Sequence, residues 1–358
     1  MSERMVKQFM EMVRIDSESG SEARFLDYLL GELRSMGADA ALDAYGNLIA
    51  SFPAKGCSQV EPILLSCHGD TVKPGVGVEP VLESGVIRSG GDTILGADDK
   101  AGIAEVLEAL RVAPVRPPVE LAVSRQEEVG LFGVKAMDMS RITARRGFLM
   151  DNDTLDTIVI GGPSYFAIDA AIRGRAAHAG MEPEKGINAI QAAARAIAAL
   201  RLGRLDHETT ANVGVITGGI IRNGVPASCS FLAECRSADH AKAAALALQM
   251  EQIIRAEVDA AGATVDITVD EKCRAVRIPE DAWAVRIAKL ALATVGIDAR
   301  AVFITGFTDA SIYNNRGIEM AVVGIGAQNE HSSDECIAVA DMEKAVAMLV
   351  EIFRLSAL

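Results

Sequence analysis

Histidines and acids standing at the ends of apolar runs are the residues of this 358-residue chain best placed to do chemistry. The first group, Cys67-His68-Gly69-Asp70-Thr71-Val72, directly follows the apolar run Pro62–Cys67. If that run is a strand, its side-chain period of two points His68 and Asp70 the same way. A carboxylate so placed can accept the free ring N–H and turn the other nitrogen toward a metal. Alone, H-x-D reads as readily as a surface histidine beside a turn aspartate. The second group, Leu95-Gly96-Ala97-Asp98-Asp99-Lys100-Ala101-Gly102, opens a helix, where an aspartate is ordinarily a cap. Two adjacent aspartates flanked by glycines are less ordinary, and one carboxylate can bridge two cations with its two oxygens. The third, Gln126-Glu127-Glu128-Val129-Gly130, follows the run Val119–Ser124 and places two like charges at the C-terminal edge of a sheet, where α/β sites form. Without a cation these would repel. With one, Glu128 can ligate while Glu127 takes a proton from metal-bound water, whose pKa falls to about 7 in such sites. Solvated loop acids are the plain alternative.

The same pattern recurs in Met150-Asp151-Asn152-Asp153, again at a strand end, and in the polar stretch Asn329-Glu330-His331-Ser332-Ser333-Asp334-Glu335. A further group, Arg175-Ala176-Ala177-His178-Ala179-Gly180, lies in a different part of the chain. Of the 5 histidines, His207 and His240 sit in charged, surface-like segments and carry no role. No group decides alone; the joint pattern does, because acids and histidines recur at the ends of successive apolar strands that would meet along one sheet edge. A thiol enzyme using Cys67 beside His68 is disfavoured, since adjacent residues on a strand face opposite ways.

The elements that must position these residues read as follows. Met1–Arg14 and Ser21–Met36 are amphipathic helices separated by turn chemistry at Asp16–Gly20. Strands at Asn47–Phe52, Pro62–Cys67, Val119–Ser124 and Gly147–Met150 alternate with a helix at Ala97–Val112, which implies a mainly parallel sheet with helices on both faces. From Ser164 to about Arg274 the order changes to strand Tyr165–Ile172, helix Gly186–Leu200, strands Ala211–Thr217 and Ser228–Glu234, helix Ala238–Ala260 and strand Thr264–Asp270. That is the order of a ferredoxin-like α/β module. After Pro279 the earlier alternation resumes, with helix Asp281–Val295, strands Ala301–Ile304 and Met320–Val323, and helix Asp341–Leu355. A catalytic domain of residues 1–164 and 275–358 is therefore expected to be interrupted by an inserted module, 165–274.

Composition narrows the function class. A chain of this length exceeds one comfortable core, and its residues are 50% hydrophobic but only 4% aromatic. A net charge of −14 repels phosphate backbones and anionic lipid, so neither nucleic acid nor membrane is an expected partner. The 6 cysteines form no C-x-x-C pair and read as reduced thiols. No run is apolar enough for a signal peptide or a membrane span, and a cytoplasmic location is expected.

At several separated stretches the chain resembles the di-zinc exopeptidases of the peptidase T, carboxypeptidase and aminoacylase superfamily, in their peptidase T-like tripeptidase branch. The stretches are GVIRSGGDTILGADDKAGIA from Gly85 to Ala104, EEVGLFG from Glu127 to Gly133, and AAHAGMEPEKGINA from Ala176 to Ala189. They occur in the family's order, and the resemblance covers nearly the whole chain. The resemblance implies two zinc ions per subunit, with cobalt or manganese as alternatives. His68 and Asp151 would hold the first, Glu128 and His331 the second, and Asp98 would bridge them ahead of a cis peptide to Asp99. Asp70 would orient His68, and Asp153 is the alternative to Asp151. Glu127 would be the general base for a metal-bound hydroxide. His178 would reach a neighbouring subunit's site, Asn223 and Arg236 would hold the substrate carboxylate, and the inserted module would be a lid through which a homodimer forms. The activity implied is that of a metal-dependent hydrolase of short peptides, a tripeptide aminopeptidase. The same chemistry on another amide (a carboxypeptidase or N-acyl amino acid deacylase) and a non-catalytic binding protein are the alternatives. One departure is Phe307 in Thr305-Gly306-Phe307-Thr308-Asp309-Ala310, where the family often has a second glycine.

Overall fold

A computed structural model describes residues 2–58 and 60–358. The chain folds as two compact units, one running to Gly161 and resuming from Arg277 to Leu358, the other spanning Gly162–Val276. The expected start of the first helix at Met1 lies outside the described residues; the helix itself spans Ser2–Val13.

The first unit is built on an 8-stranded sheet. Its central strands, in spatial order Val119–Ser124, Ile63–His68, Arg146–Asn152 and Glu319–Gly324, run parallel to one another. Leu48–Phe52 and Asp39–Leu42 extend one side antiparallel, and Thr157–Val159 with Arg300–Val302 extends the other. The central runs are apolar on both faces because both faces are covered. Ile63, Leu65 and Cys67 join one core with residues of the helices Ser2–Val13, Ala97–Val112 and Val339–Ser356. On the opposite face Ser66 Oγ donates to the hydroxyl of Tyr313, 3.3 Å away in the helix Asp309–Asn315. The expected mainly parallel α/β sheet is what the chain forms.

Several elements are not legible in the sequence, among them the following. Asp39–Leu42 is Asp-Ala-Ala-Leu, a poor strand former held by pairing with Ser51–Leu48 rather than by its own preference. The hairpin Pro80–Glu83 and Val86–Ser89 turns at Ser84 and Gly85, both with positive φ, as a two-residue turn matched to strand twist requires. The helix Asp309–Asn315 is short and polar, so it carries no apolar periodicity.

The second unit is a 5-stranded antiparallel sheet in the order Gly203–Arg204, Thr209–Gly218, Ser228–Ser237, Ser164–Arg173, Thr264–Cys273. Helices Ala189–Ala199 and His240–Ala260 share a core with its buried face, around Ile168, Phe231 and Ile254. The strand–helix–strand–strand–helix–strand order is the one expected of the inserted module.

Glu105, in the middle of Ala97–Val112, is fully buried, and neither carboxylate oxygen has a hydrogen-bond partner among the described residues. Burial pushes its pKa well above the usual 4.5, and the nearby charges of Asp99 and Asp341 push the same way. A raised folded-state pKa means that the native protein binds the extra proton. This contribution to stability is complete below about 4.5 and is lost as pH rises toward the folded-state value. Glu105→Met, which removes the charge at similar length, is expected to stabilise the chain by about 1–3 kcal/mol near neutral pH and by much less in acid. Urea unfolding at both pH values checks this; a gain independent of pH would show that the carboxyl is not the cause.

Candidate active site

The C-terminal ends of parallel strands form the crevice in which open α/β sheets bind ligands, and the acids and histidines gather there. His68 ends Ile63–His68, and Asp151 lies at the end of Arg146–Asn152. Glu127 and Glu128 occupy the turn after Val119–Ser124, which Gln126 and Leu131 shape with positive φ. Asp98 stands at the entry of Ala97–Val112, where Asp98 and Asp99 depart from helical geometry and the peptide between them is cis. His331, also with positive φ, is carried by the loop between Ala327–Gln328 and Cys336–Ala338.

These residues form two groups that share Asp98. Its Oδ1 lies 2.9 Å from His68 Nε2 and its Oδ2 lies 3.1 Å from His331 Nε2. Asp151 Oδ1 flanks His68 Nε2 at 3.4 Å, and Glu128 Oε1 flanks His331 Nε2 at 3.0 Å. The Glu128 oxygen is buried and has no partner in hydrogen-bond geometry among the described residues. Ligand atoms of His68, Asp98 and Glu128, and of His68, Asp99 and Asp151, lie within 4.8 Å of one another. Imidazole nitrogens with carboxylate oxygens are the donor set of zinc-like cations.

Electrostatics point the same way. Burial, followed by the charge of Asp151, pushes the Glu127 carboxyl well above the usual range, and burial lifts Asp151 to about 6. The carboxylates of Asp98 and then Glu128, close against the ring, raise His331 to about 10. Burial opposes the charged form of Asp98, yet the two imidazoles hold its pKa below the usual range. So many carboxylates closed around two imidazoles leave an excess of negative charge, and buried charge of one sign calls for a cation. The residues present fit a pair of divalent metal ions.

The supporting bonds differ in one respect from expectation. His68 Nδ1 is held at 2.9 Å by the main-chain carbonyl of Asp70, while the Asp70 carboxylate stands 3.5 Å away. That carboxylate instead accepts from Ser19 Oγ at 2.7 Å, Glu127 N at 2.9 Å and Glu128 N at 3.3 Å. Three closer donors claim its oxygens, so Asp70 fixes the glutamate turn as well as the histidine. Asp99 Oδ2 accepts from the His68 main-chain N–H at 3.1 Å. A methyl group on Gly102 would stand 2.2 Å from the other Asp99 oxygen and 2.9 Å from the Met150 carbonyl oxygen. Gly102→Ala is therefore expected to destabilise the fold by about 1–3 kcal/mol through overpacking; an unchanged urea midpoint would contradict the close approach.

Asp153, the alternative to Asp151, is exposed and accepts from the N–H of Thr154. The sequence offers Asp309 only as a member of the Thr305–Ala310 segment. It is fully buried, takes the hydroxyl of Ser124 on one oxygen and leaves the other without a partner among the described residues. Burial raises it to about 7. Its presence in Thr308-Asp309-Ala310 was the only sequence signal. Ser19 and Asp99 also went without a role.

In the second unit, His178 pairs opposite Gly224, and Ala179 N donates to the Asn223 carbonyl at 3.0 Å, so His178 and Asn223 are neighbours. His178 Nδ1 accepts from Gly180 N and Met181 N at 3.2 and 3.1 Å. Arg236 is elsewhere, near the end of Ser228–Ser237, where it pairs with Glu234 at 3.0 Å and lies over the Tyr165 ring.

Residues 162–261 match the peptidase dimerisation domain. YqjE, an uncharacterized protein of Bacillus subtilis, is 35% identical over 98% of this chain and 97% of its own. The solved aminopeptidase PepT from Bacillus cereus is 35% identical, with a TM-score of 0.90 over 100% of this chain and 99% of that one. A solved tripeptidase from Staphylococcus aureus is 30% identical, with a TM-score of 0.94 over 100% and 99%.

Proposed function

We propose a function from the premise that this chain belongs to the M20 peptidase family, in its peptidase T-like branch. The function is that of a tripeptide aminopeptidase that uses two divalent cations, zinc or, as substitutes, cobalt or manganese. The observation that carries it is the sharing of Asp98, whose two oxygens face the Nε2 atoms of His68 and His331 at 2.9 and 3.1 Å.

His68, Asp98 and Asp151 would hold one cation, and His331, Asp98 and Glu128 the other. When bound, the pair supplies Lewis acidity for the scissile carbonyl and lowers the pKa of water toward about 7. Glu127 takes the proton from the attacking water and returns it to the leaving amine. Asp70 keeps Glu127 in reach through its bond to the Glu127 N–H at 2.9 Å. Residues 165–274 would serve as the lid and homodimer module, with His178 stabilising the oxyanion of a neighbouring subunit's substrate. Asn223 and Arg236 would take the peptide carboxylate, Arg236 exchanging Glu234 for it. Cytoplasmic action is part of the reading, supported by free thiols at Cys57, Cys67, Cys229, Cys235, Cys273 and Cys336. Among the described residues no helix is long and apolar enough to cross a membrane.

The test is substrate discrimination. Tripeptides with a free amino terminus should be released as an amino acid and a dipeptide, and the same peptides N-acetylated should be inert. Preferential cleavage of the acetylated series would replace this reading with a deacylase.

A further inference from the structure

Glu335 was noted only as the last acid of the His331 segment, and the proposed chemistry leaves it idle. It is 1% exposed and forms no salt bridge among the described residues, an unusual burial for a carboxylate. Both oxygens are engaged by main-chain donors of one distant loop. Oε2 accepts from Leu95 N at 2.8 Å and Gly96 N at 2.7 Å, and Oε1 accepts from Asp98 N at 3.0 Å. These donors belong to the turn that aims the Asp98 carboxylate.

The other end of the clamp is equally fixed. Glu335 N donates to Ser332 O at 3.1 Å, and Ser332 Oγ donates to Asn329 O at 2.7 Å, which closes the turn that holds His331. The next residue, Cys336, pairs with Arg88 in a strand. One carboxylate thus joins the loop of Asp98 to the loop of His331, two ligand candidates 233 positions apart. His68 and Asp151 need no such clamp, because each sits on a central strand of the sheet.

We propose that Glu335 is a positioning residue that sets the affinity of the second cation position, the one faced by His331 and Glu128, without touching the ion. The inference rests on the two-cation reading of the site. Outer groups that orient ligands govern metal affinity by about ten- to hundredfold. A glutamine at this position keeps the volume but offers a single oxygen. With that oxygen on Leu95 N and Gly96 N, its NH2 would confront the N–H of Asp98 and push the loop of His331 away from the loop of Asp98.

The experiment is calorimetric titration of cobalt into chelator-treated protein, with the visible cobalt spectrum recorded in parallel. Wild type should bind in a tighter and a weaker step. Glu335→Gln should keep the tighter step and weaken the other about ten- to hundredfold, with the second cobalt band reduced at equal cobalt. Glu335→Asp, which keeps the charge but shortens the reach, should fall between them, and it carries the test alone if the glutamine variant does not fold. Equal affinities in wild type and variants overturn the inference, as does equal weakening of both steps, which would mark a merely structural role. A wild type that binds fewer than two cobalt ions would instead refute the two-cation reading itself.

Discussion

Glu127→Gln is expected to lower kcat by about 10²–10⁴-fold while leaving cation content and KM close to wild type. The substitution changes one atom. The residue keeps its volume and its main-chain bond to Asp70 at 2.9 Å, so the turn that also carries Glu128 stays in place. What disappears is the capacity to accept a proton. Glu127 is 8% exposed, and burial together with the charge of Asp151 raises its proton affinity, as a base working near neutral pH requires. The expected loss corresponds to about 2.7–5.4 kcal/mol of transition-state stabilisation. Loss of a solvated loop acid would cost far less, so a fall under about tenfold would reassign the base. Elemental analysis of the variant separates this outcome from simple loss of metal.

Removing the cations is expected to have the larger effect. Chelation should abolish turnover, and zinc, cobalt or manganese should restore it. Asp98→Asn should reproduce the loss without a chelator. Its amide offers one oxygen where two are used, facing His68 Nε2 at 2.9 Å and His331 Nε2 at 3.1 Å. The variant should therefore retain at most one tightly held ion and no measurable activity. Chelated wild type should also melt lower than the loaded protein, because ligand bound only to the native state stabilises it by mass action. Full activity in exhaustively chelated protein, checked by elemental analysis, would end the metallopeptidase reading.

The fold was legible where local chemistry and tertiary demand agree. Ala97–Val112 and Val119–Ser124 have the bounds expected of them, since a glycine-flanked acidic start and a proline-rich stop frame the helix and an unbroken apolar run marks the buried strand. Asp39–Leu42 was not legible, because its residues prefer no strand and its pairing partner creates it. The acids and histidines of the site were legible for a similar reason: each stands just beyond or near the end of a strand or at the start of a helix. Their partners were less so. The Asp70 carboxylate was expected on His68, but main-chain donors from the glutamate turn and the Ser19 hydroxyl approach it more closely. Glu335 had no recognisable role, since its value lies in three N–H groups of another loop.

By itself, then, the sequence determined which side chains gather: strand periodicity and parallel topology carry the ends of consecutive strands to one edge, whatever the details between them. Only the tertiary structure decided the pairing of individual atoms. It put Asp151 rather than Asp153 beside His68, turned the two oxygens of Asp98 toward different imidazoles and buried Glu335 under the loop it holds. The reason is physical. Side-chain direction along a strand is a local property of the backbone, whereas an ångström-scale contact between residues 233 positions apart depends on the packing of every element between them.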